Sequence, residues 1–369
     1  MKIAILGTRG IPNQYGGFEQ CAEKIAPLLV ASGITVDVYC PKNHAYVETK
    51  WNDVELIHIS SFPWLHAMGS LFYDFFCIVK ARKGRYDAVL QLGYSPAGLF
   101  YFILQSAGIP IVTNMAGMEW RRSKWGIIAK LIIKYSERLA VRRSQAVIAD
   151  NIGIKNYIDN RYKINSDFIT YGAAPAASGG DRLLCLYNIK PDEYYMLLAR
   201  FQSDNNIEMI LDGYCMSGDT RTFIVVGGTS GKYGRYLLKK YSKIERIIFT
   251  GGVYDYPGLC DLRRQCRFYF HGHSAGGTNP SLLEAMSSGA RLVAHGNDFN
   301  RAVLGGNSLY FNSAEDVRDI IANGIQAYNE EWKKVNLEEI STSYQWEKIA
   351  RQYLEVLTRV VTHEPRSSA

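Results

Sequence analysis

The chain has 369 residues, 47% of them hydrophobic and 21% charged, a globular composition with more mass than one ordinary core holds. The net charge of +7 is moderate, so its placement matters more than its size, and no run of about 18 uncharged apolar residues offers a membrane span. Seven cysteines (Cys21, Cys40, Cys77, Cys185, Cys215, Cys260 and Cys266) lack any CxxC or other ligand spacing; they read as reduced core thiols and exclude a disulfide framework or a structural zinc.

Lys2 to Leu6 predicts a short apolar strand that runs straight into Gly7-Thr-Arg-Gly10 with no signal-peptide cleavage pattern, so the expectation is a cytosolic protein. Gly16-Gly17-Phe-Glu19 starts a helix to about Ser32 with Cys21, Ile25, Leu28 and Leu29 on one face, and Ile34 to Cys40 is the next strand. This unit is Rossmann-like, but its glycines do not have the GxGxxG spacing and no acidic residue ends the second strand, which counts against a dehydrogenase. Strands follow at Val54 to Ile59, Ala88 to Leu92 and Ile109 to Asn114. The loop after the last, Met115-Ala-Gly-Met-Glu-Trp120, is of the strand-end kind that carries active-site groups in open α/β sheets.

The next helix, through Arg143, is basic. Arg121, Arg122, Lys124, Lys130, Lys134, Arg138, Arg142 and Arg143 stand there against only Glu119 and Glu137. With Trp120, Trp125 and interleaved Ile127, Ile128, Leu131 and Ile132, it fits a membrane-surface contact or, equally, a helix with a core face and a solvated basic face. Gln145 to Ala149 is a buried strand, Ile152 to Tyr162 a helix and Phe168 to Tyr171 a strand. The small residues of Gly172 to Gly180, without periodicity, mark a domain junction and hinge.

A second βα series begins with Tyr195 to Leu198, which has Arg200 at its end. Thr222 to Val226 ends in Gly227-Gly228, and Ile247 to Thr250 ends in Gly251-Gly252. Arg267 to Phe270 leads into a glycine loop and short helix, His271-Gly-His-Ser-Ala-Gly-Gly-Thr-Asn-Pro-Ser-Leu-Leu-Glu-Ala-Met-Ser-Ser-Gly289, before the strand Arg291 to Ala294. Thr278 or Asn279 can cap this helix, Pro280 suits its first turn and Gly289 can close it. Free N–H groups at the positive end of a helix dipole suit an anion such as phosphate, and Glu284, about one turn in, could accept hydrogen bonds from ribose hydroxyls. Together they read as a nucleotide site, although a plain loop and a solvated glutamate fit the same residues.

The two series predict an α/β chain with a Rossmann-like domain over residues 1–175 and another over 185–343. An amphipathic helix over 344–362, with Trp346 near its start, is expected to cross back to the first domain, followed by a loose tail beyond Thr362.

Three motifs in order resemble glycosyltransferase family 4 over nearly the whole chain: Gly7-Thr-Arg-Gly-Ile-Pro12 with Tyr15-Gly-Gly-Phe-Glu19, Gly117-Met-Glu-Trp-Arg-Arg-Ser-Lys-Trp125, and Gly276-Gly-Thr-Asn-Pro-Ser-Leu-Leu-Glu-Ala-Met286. The similarity is to the branch that includes dTDP-rhamnose-dependent rhamnosyltransferases. It implies a GT-B fold, two Rossmann-like doubly wound domains facing across a cleft. It further implies retaining transfer of a sugar, rhamnose, from a nucleoside diphosphate donor to a saccharide acceptor in bacterial surface polysaccharide synthesis (capsule or lipopolysaccharide), with no metal or other cofactor. Acceptors of this branch are often lipid-linked, so the resemblance places the protein at the inner face of the cell membrane, in contact through residues 120–143. No nucleic-acid-binding motif accompanies that basic helix.

The same resemblance puts Glu284 on the donor ribose and Arg200 on the diphosphate, with Gly16 and Gly17 closing on the sugar phosphate and Gly252 and Val253 along the base. Gly276, Gly277 and Thr278, with Asn279, form the phosphate loop. His271 and His273 beside it fit an ordinary hydrogen-bonding role as well as a functional one. Gly276 stands where many members have a sugar-orienting glutamate, and Asn205 where many have a lysine whose charge Lys232 or Arg235 could supply. Ala116 stands where the branch usually has an aspartate; Glu119 could substitute for it or pair with the neighbouring arginines. Two rival readings follow: a nucleotide-sugar epimerase of the same fold, and a catalytically impaired nucleotide-sugar-binding protein, which Ala116 and Asn205 favour.

Overall fold

The computed structural model describes residues 1–14, 16–122 and 125–362; Tyr15, Ser123, Lys124 and the tail beyond Thr362 lie outside the described residues. The chain forms two compact units, Met1–Tyr171 with Trp346–Ala369, and Gly172–Gln345.

The first unit begins β1 (Lys2–Leu6), α1 (Gly17–Ala31), β2 (Thr35–Pro41), β3 (Lys50–Trp51), β4 (Val54–Ile59) and α2 (His66–Arg82). It continues with β5 (Ala88–Leu92), α3 (Tyr101–Gln105), β6 (Ile111–Asn114), α4 (Ile127–Arg143), β7 (Ala146–Ala149), α5 (Ile152–Tyr162) and β8 (Asp167–Phe168). Its eight strands are ordered β3-β4-β2-β1-β5-β6-β7-β8 and parallel except for β3 against β4. Strands such as β5 and β7 are buried at every residue, because crossover helices cover both faces of a parallel sheet and leave no polar alternation to read. The strand order reverses between β1 and β5, so the loops after them, Gly7 to Gly10 and Gly93 onward, flank the switch point at the carboxyl edge.

The second unit starts α6 (Arg182–Tyr187), β9 (Tyr194–Leu198), α7 (Ile207–Ser217), β10 (Thr222–Val226), α8 (Lys232–Lys240), β11 (Ile247–Gly251) and α9 (Tyr256–Gln265). Then come β12 (Phe268–His271), α10 (Pro280–Ser287), β13 (Leu292–His295), α11 (Asp298–Leu304), β14 (Leu309–Phe311), α12 (Ala314–Ala327) and α13 (Glu331–Ser343). Its six strands form the order β11-β10-β9-β12-β13-β14 and reverse between β9 and β12. The core on one side is aromatic, with Tyr195, Tyr214, Phe223, Phe268 and Phe270 buried together. The last helix, α14 (Trp346–Val361), belongs to the first unit. There the fully buried Tyr353 accepts a hydrogen bond at 2.7 Å from Asn114 Nδ2 at the end of β6, and Arg359 pairs with Asp167 at 2.6 Å.

The small-residue segment after Gly172 differs from a slack hinge. Ala174 O accepts from Ser287 Oγ at 2.6 Å, and Gly179 N donates to Asp261 Oδ2 at 2.5 Å. Side chains this small let the backbone lie directly on α9 and α10, which turns the segment into a strap on the second unit. Five cysteines are buried as expected, whereas Cys185 is exposed and Cys215 partly so; all seven are free. Among the described residues, no helix is long and apolar enough to cross a membrane, and no three His, Cys, Asp or Glu side chains converge as metal ligands would.

Candidate functional site

Parallel strands deliver their following loops to one edge, and in the second unit that edge gathers most of the residues singled out in the sequence. Arg200 follows β9, Lys232 opens α8 after β10, Gly252 and Val253 follow β11, and Gly276 to Asn279 follow β12. Because the strand order reverses between β9 and β12, Arg200 and the glycine loop come from the two strands that border the switch point.

Asn279, not Thr278, caps α10: its Oδ1 accepts from Ser281 N at 3.0 Å, and Pro280 takes the first helical position. Gly289, at φ +68, lies just past the helix end in the left-handed conformation expected of a terminating glycine. Gly276 has φ +117, and a Cβ added there would meet no atom within 4 Å. Backbone conformation, not space, therefore demands glycine, and a glutamate at 276 would be strained. The departure from the usual pattern is built into the loop.

The loops after β9 and β12 are stitched together. Ser274 N donates to Asp204 O at 2.9 Å, and Asn206 Nδ2 donates to Gly272 O at 2.8 Å. Asn205, where a lysine was the alternative, is buried and donates from Nδ2 to Arg200 O at 2.6 Å. Its amide thus shapes the turn that presents the exposed Arg200 side chain. Of the two cations considered as replacements, Arg235 donates to Ser230 O, while Lys232 is exposed at the first residue of α8. A cation at the positive end of a helix dipole is unfavourably placed until an anion offsets it.

Glu284 is not the solvated glutamate of the alternative reading. Its Oε2 lies 2.6 Å from Nη2 of Arg263, whose side chain is fully buried beneath it, while Glu284 keeps 20% of its own side chain exposed. Burial opposes the Arg263 charge, but Glu284 together with Tyr269 and Cys260 more than offsets that and raises its pKa, so Arg263 keeps its charge in the interior. Arg263 orients Glu284 from below and is a positioning residue. Sequence reasoning missed it because a basic residue in the last turn of a helix normally reads as solvated.

His271 is buried, and neither ring nitrogen has a hydrogen-bond partner among the described residues. It stacks on His273 with centroids 4.5 Å apart. Burial, with His295 nearby, pushes its pKa down to about 3, so it is neutral at working pH.

The remaining predicted residues lie in the first unit. Gly16 precedes α1, accepts from Gln20 N at 3.0 Å and donates to Asn13 Oδ1 at 3.1 Å; Gly17 is the first helical residue. Ala116 follows β6 with φ +52, a left-handed conformation that costs a residue with a Cβ about 1 kcal/mol and that Asp or Asn tolerates better. Its N–H donates to Asn114 Oδ1 at 2.9 Å. The backbone at 116 is thus suited to an aspartate. Ala116→Gly is expected to stabilise the protein by roughly 1 kcal/mol, read as a higher urea midpoint at unchanged slope.

Glu119 is engaged on both oxygens, with Arg122 Nε at 2.8 Å and Trp125 Nε1 at 3.1 Å, which is the pairing alternative. Trp120 points inward: its Nε1 donates at 2.9 Å to the buried Glu137, which also accepts from Tyr94, Tyr157 and Tyr162 at 3.3, 2.8 and 2.6 Å. Both tryptophans of the expected membrane-surface contact are half-buried and engaged by hydrogen bonds through their indole N–H groups. The Glu137 hub fixes the loop after β6 from behind, and it was invisible in sequence because its donors come from separate loops and helices.

Two doubly wound units of this kind, with the C-terminal helix returning to the first, define the GT-B fold. The chain is similar over 98% of its length to sucrose-phosphate synthase from Thermosynechococcus elongatus, which is covered completely, with a TM-score of 0.80 at 16% identity. It is similar over 97% of its length to Anabaena HepE, solved in complex with UDP and also covered completely, with a TM-score of 0.76 at 18% identity. The trehalose-6-phosphate synthase of Burkholderia multivorans matches with a TM-score of 0.75 at 11% identity, covering 100% of this chain and 99% of that one. At such identities the likeness defines the fold. In sequence, the family described as "Domain of unknown function (DUF1972)" matches residues 1–174, up to the junction with the second unit. No curated protein matches the chain in sequence.

Proposed function

We propose that the chain is a glycosyltransferase that takes a sugar from a nucleoside diphosphate donor held by the second unit and passes it to a saccharide hydroxyl. One observation carries the reading: a capped helix N-terminus behind a glycine loop stands at the switch point beside Arg200, and Glu284, oriented from below by Arg263, lies one turn further in. Helix N–H groups and Arg200 would hold the diphosphate and Glu284 the sugar of the nucleoside, with Lys232 as an added cation. HepE, of the same fold, binds UDP, which supports a nucleotide in this role.

The transfer proposed is retaining and independent of a metal. The bond from the anomeric carbon to the diphosphate oxygen breaks, leaving an oxocarbenium-like sugar. The acceptor oxygen bonds to that carbon from the same face, and its proton passes to a leaving phosphate oxygen. Charge builds on the diphosphate, so stabilisation falls to Arg200 and the helix terminus. The donor proposed is dTDP-rhamnose and the setting surface polysaccharide synthesis, by resemblance of the three motifs. A UDP-sugar is the second reading. It is favoured by the HepE complexes and by chemistry, since a ribose offers Glu284 two vicinal hydroxyls and a deoxyribose only one.

Titration calorimetry with UDP, dTDP and their sugars tests this. Tightest binding of dTDP-rhamnose is the expected result. A preference for a UDP-sugar would move the donor assignment to the second reading, and no binding by any nucleotide would end the proposal. Release of free nucleotide together with a sugar of inverted ring configuration, without an acceptor, would identify an epimerase instead.

A further inference from the structure

Alternation along β12 gives its two faces different tasks. Phe268 and Phe270 enter the aromatic core, whereas Tyr269 faces Arg263, Glu284 and Ser281 on the other side. His271, two residues on, continues this second face towards the carboxyl edge, with His295 of β13 nearby. It is 1% exposed, and neither ring nitrogen meets a partner among the described residues. An ordinary buried histidine spends its nitrogens on hydrogen bonds, and leaving both unmade costs stability. What the ring does make is a stack: it lies 4.5 Å from the His273 ring, with 17° between the planes.

The backbone around His273 is pinned at three consecutive residues. Gly272 O accepts from Asn206 Nδ2 at 2.8 Å, His273 O accepts from Asn297 Nδ2 at 2.9 Å and from Asn300 Nδ2 at 3.0 Å, and Ser274 N donates to Asp204 O at 2.9 Å. Gly272 passes so close to the turn after β9 that a Cβ there would collide with Asn205 O. With the backbone fixed, the stack on His271 fixes the ring as well, which is the pre-organisation a ligand contact needs. The other side chains of the loop are spent, buried or apolar. Ser274 Oγ donates to Asp204 O at 2.9 Å, Asn279 Oδ1 caps α10, Thr278 is buried, and Ala275, Gly276 and Gly277 have no polar side chain. His273 is half-buried, and an imidazole has two nitrogens, so it can keep one partner within the protein and offer the other to a ligand. We propose that His273 hydrogen-bonds a hydroxyl of the transferred sugar, and that His271 is a positioning residue that holds the His273 ring by stacking. His273 stands between the turn of Arg200 and the start of α10, the two elements proposed to hold the diphosphate, and the sugar is attached to that diphosphate. The contact fills the sugar-orienting role that Gly276, without a side chain, leaves open, and to that extent it rests on the proposed donor reading.

Titration calorimetry of the full chain with dTDP and dTDP-rhamnose, and with UDP and UDP-glucose, separates the sugar contact from the nucleotide contact. One hydrogen bond is worth roughly a three- to tenfold change in affinity, so His273→Ala and His273→Phe should each weaken the nucleotide sugar by that factor and leave the bare nucleotide unchanged. His273→Phe keeps a ring to stack on His271, and its loss therefore isolates the nitrogens. His271→Ala removes the stack and should lose a similar factor for the sugar. His271→Phe keeps a flat ring and should retain the parent affinity, with a higher urea midpoint because two unsatisfied buried nitrogens are gone. Nucleotide sugar bound by both His273 variants as tightly as by the parent chain overturns the proposed contact. Equal losses in His271→Phe and His271→Ala overturn the stacking role, and loss of bare nucleotide in step with its sugar reduces both histidines to supports of the fold. A parent chain that binds nucleotide and nucleotide sugar alike removes the sugar contact while the nucleotide reading stands. One that binds neither ends both.

Discussion

Glu284→Ala is expected to abolish donor binding and to destabilise the fold by about 3–5 kcal/mol, the usual cost of removing one partner of a buried ion pair. The second effect follows from Arg263: its side chain has no solvent exposure, and Glu284 Oε2 at 2.6 Å is the anion beside it. Deleting the carboxylate strands a guanidinium in the interior, so a loss of binding in that variant mixes a lost contact with a damaged site. Two further variants separate the effects. Arg263→Met keeps Glu284 but frees its rotamers, and should weaken donor binding by about tenfold, the cost of ordering one mobile side chain. Arg263→Met with Glu284→Gln removes both charges. It should recover most of the stability, because a neutral pair of similar volume has no uncompensated charge, while donor binding stays lost. Calorimetry for binding and urea unfolding for stability provide the two readouts. If Arg263→Met binds donor as tightly as the parent chain, Arg263 has no positioning role.

Arg200→Ala is expected to lower kcat by about 10²–10³ and to leave stability within about 0.5 kcal/mol of the parent chain. Its side chain is exposed at the end of β9, and the turn that presents it is held through its carbonyl, which Asn205 Nδ2 and Gln202 N reach at 2.6 and 2.8 Å. Those bonds survive truncation of the side chain, so the turn after β9 stays held. Charge on a leaving diphosphate grows as the glycosidic bond breaks, and kcat should therefore fall more than the affinity for the donor. Lys232→Ala should act in the same direction with a smaller factor, because a solvated ammonium at a helix start is a weaker, more screened partner. An unchanged kcat in Arg200→Ala would remove this arginine from the transition state. Rate measurements on Ala116→Asp in the same assay address the acceptor side, where higher turnover is expected, since the left-handed backbone at 116 already accommodates an aspartate.

Local chemistry explains what could be read in advance. The sequence by itself determined the α/β class, the tandem of two doubly wound series and the glycine loop with its capped helix. Apolar strand runs, glycines at strand ends and the Asn279-Pro280 start are short-range signals that need no partner from elsewhere in the chain. Helix α2 escaped notice because Met68, Phe72 and Phe76 leave apolar groups on its outer face too, which erases the 3.6-residue contrast that marks an amphipathic helix. Only the tertiary structure decided which charges face solvent and which are consumed. Arg263 beneath Glu284, Glu137 among Tyr94, Trp120, Tyr157 and Tyr162, and Asn114 on Tyr353 are contacts between residues 17 to 239 positions apart. A buried charge is tolerable only where its partner has been brought to it, and that pairing is fixed when the sheets and helices pack, not by the residues beside it in the chain.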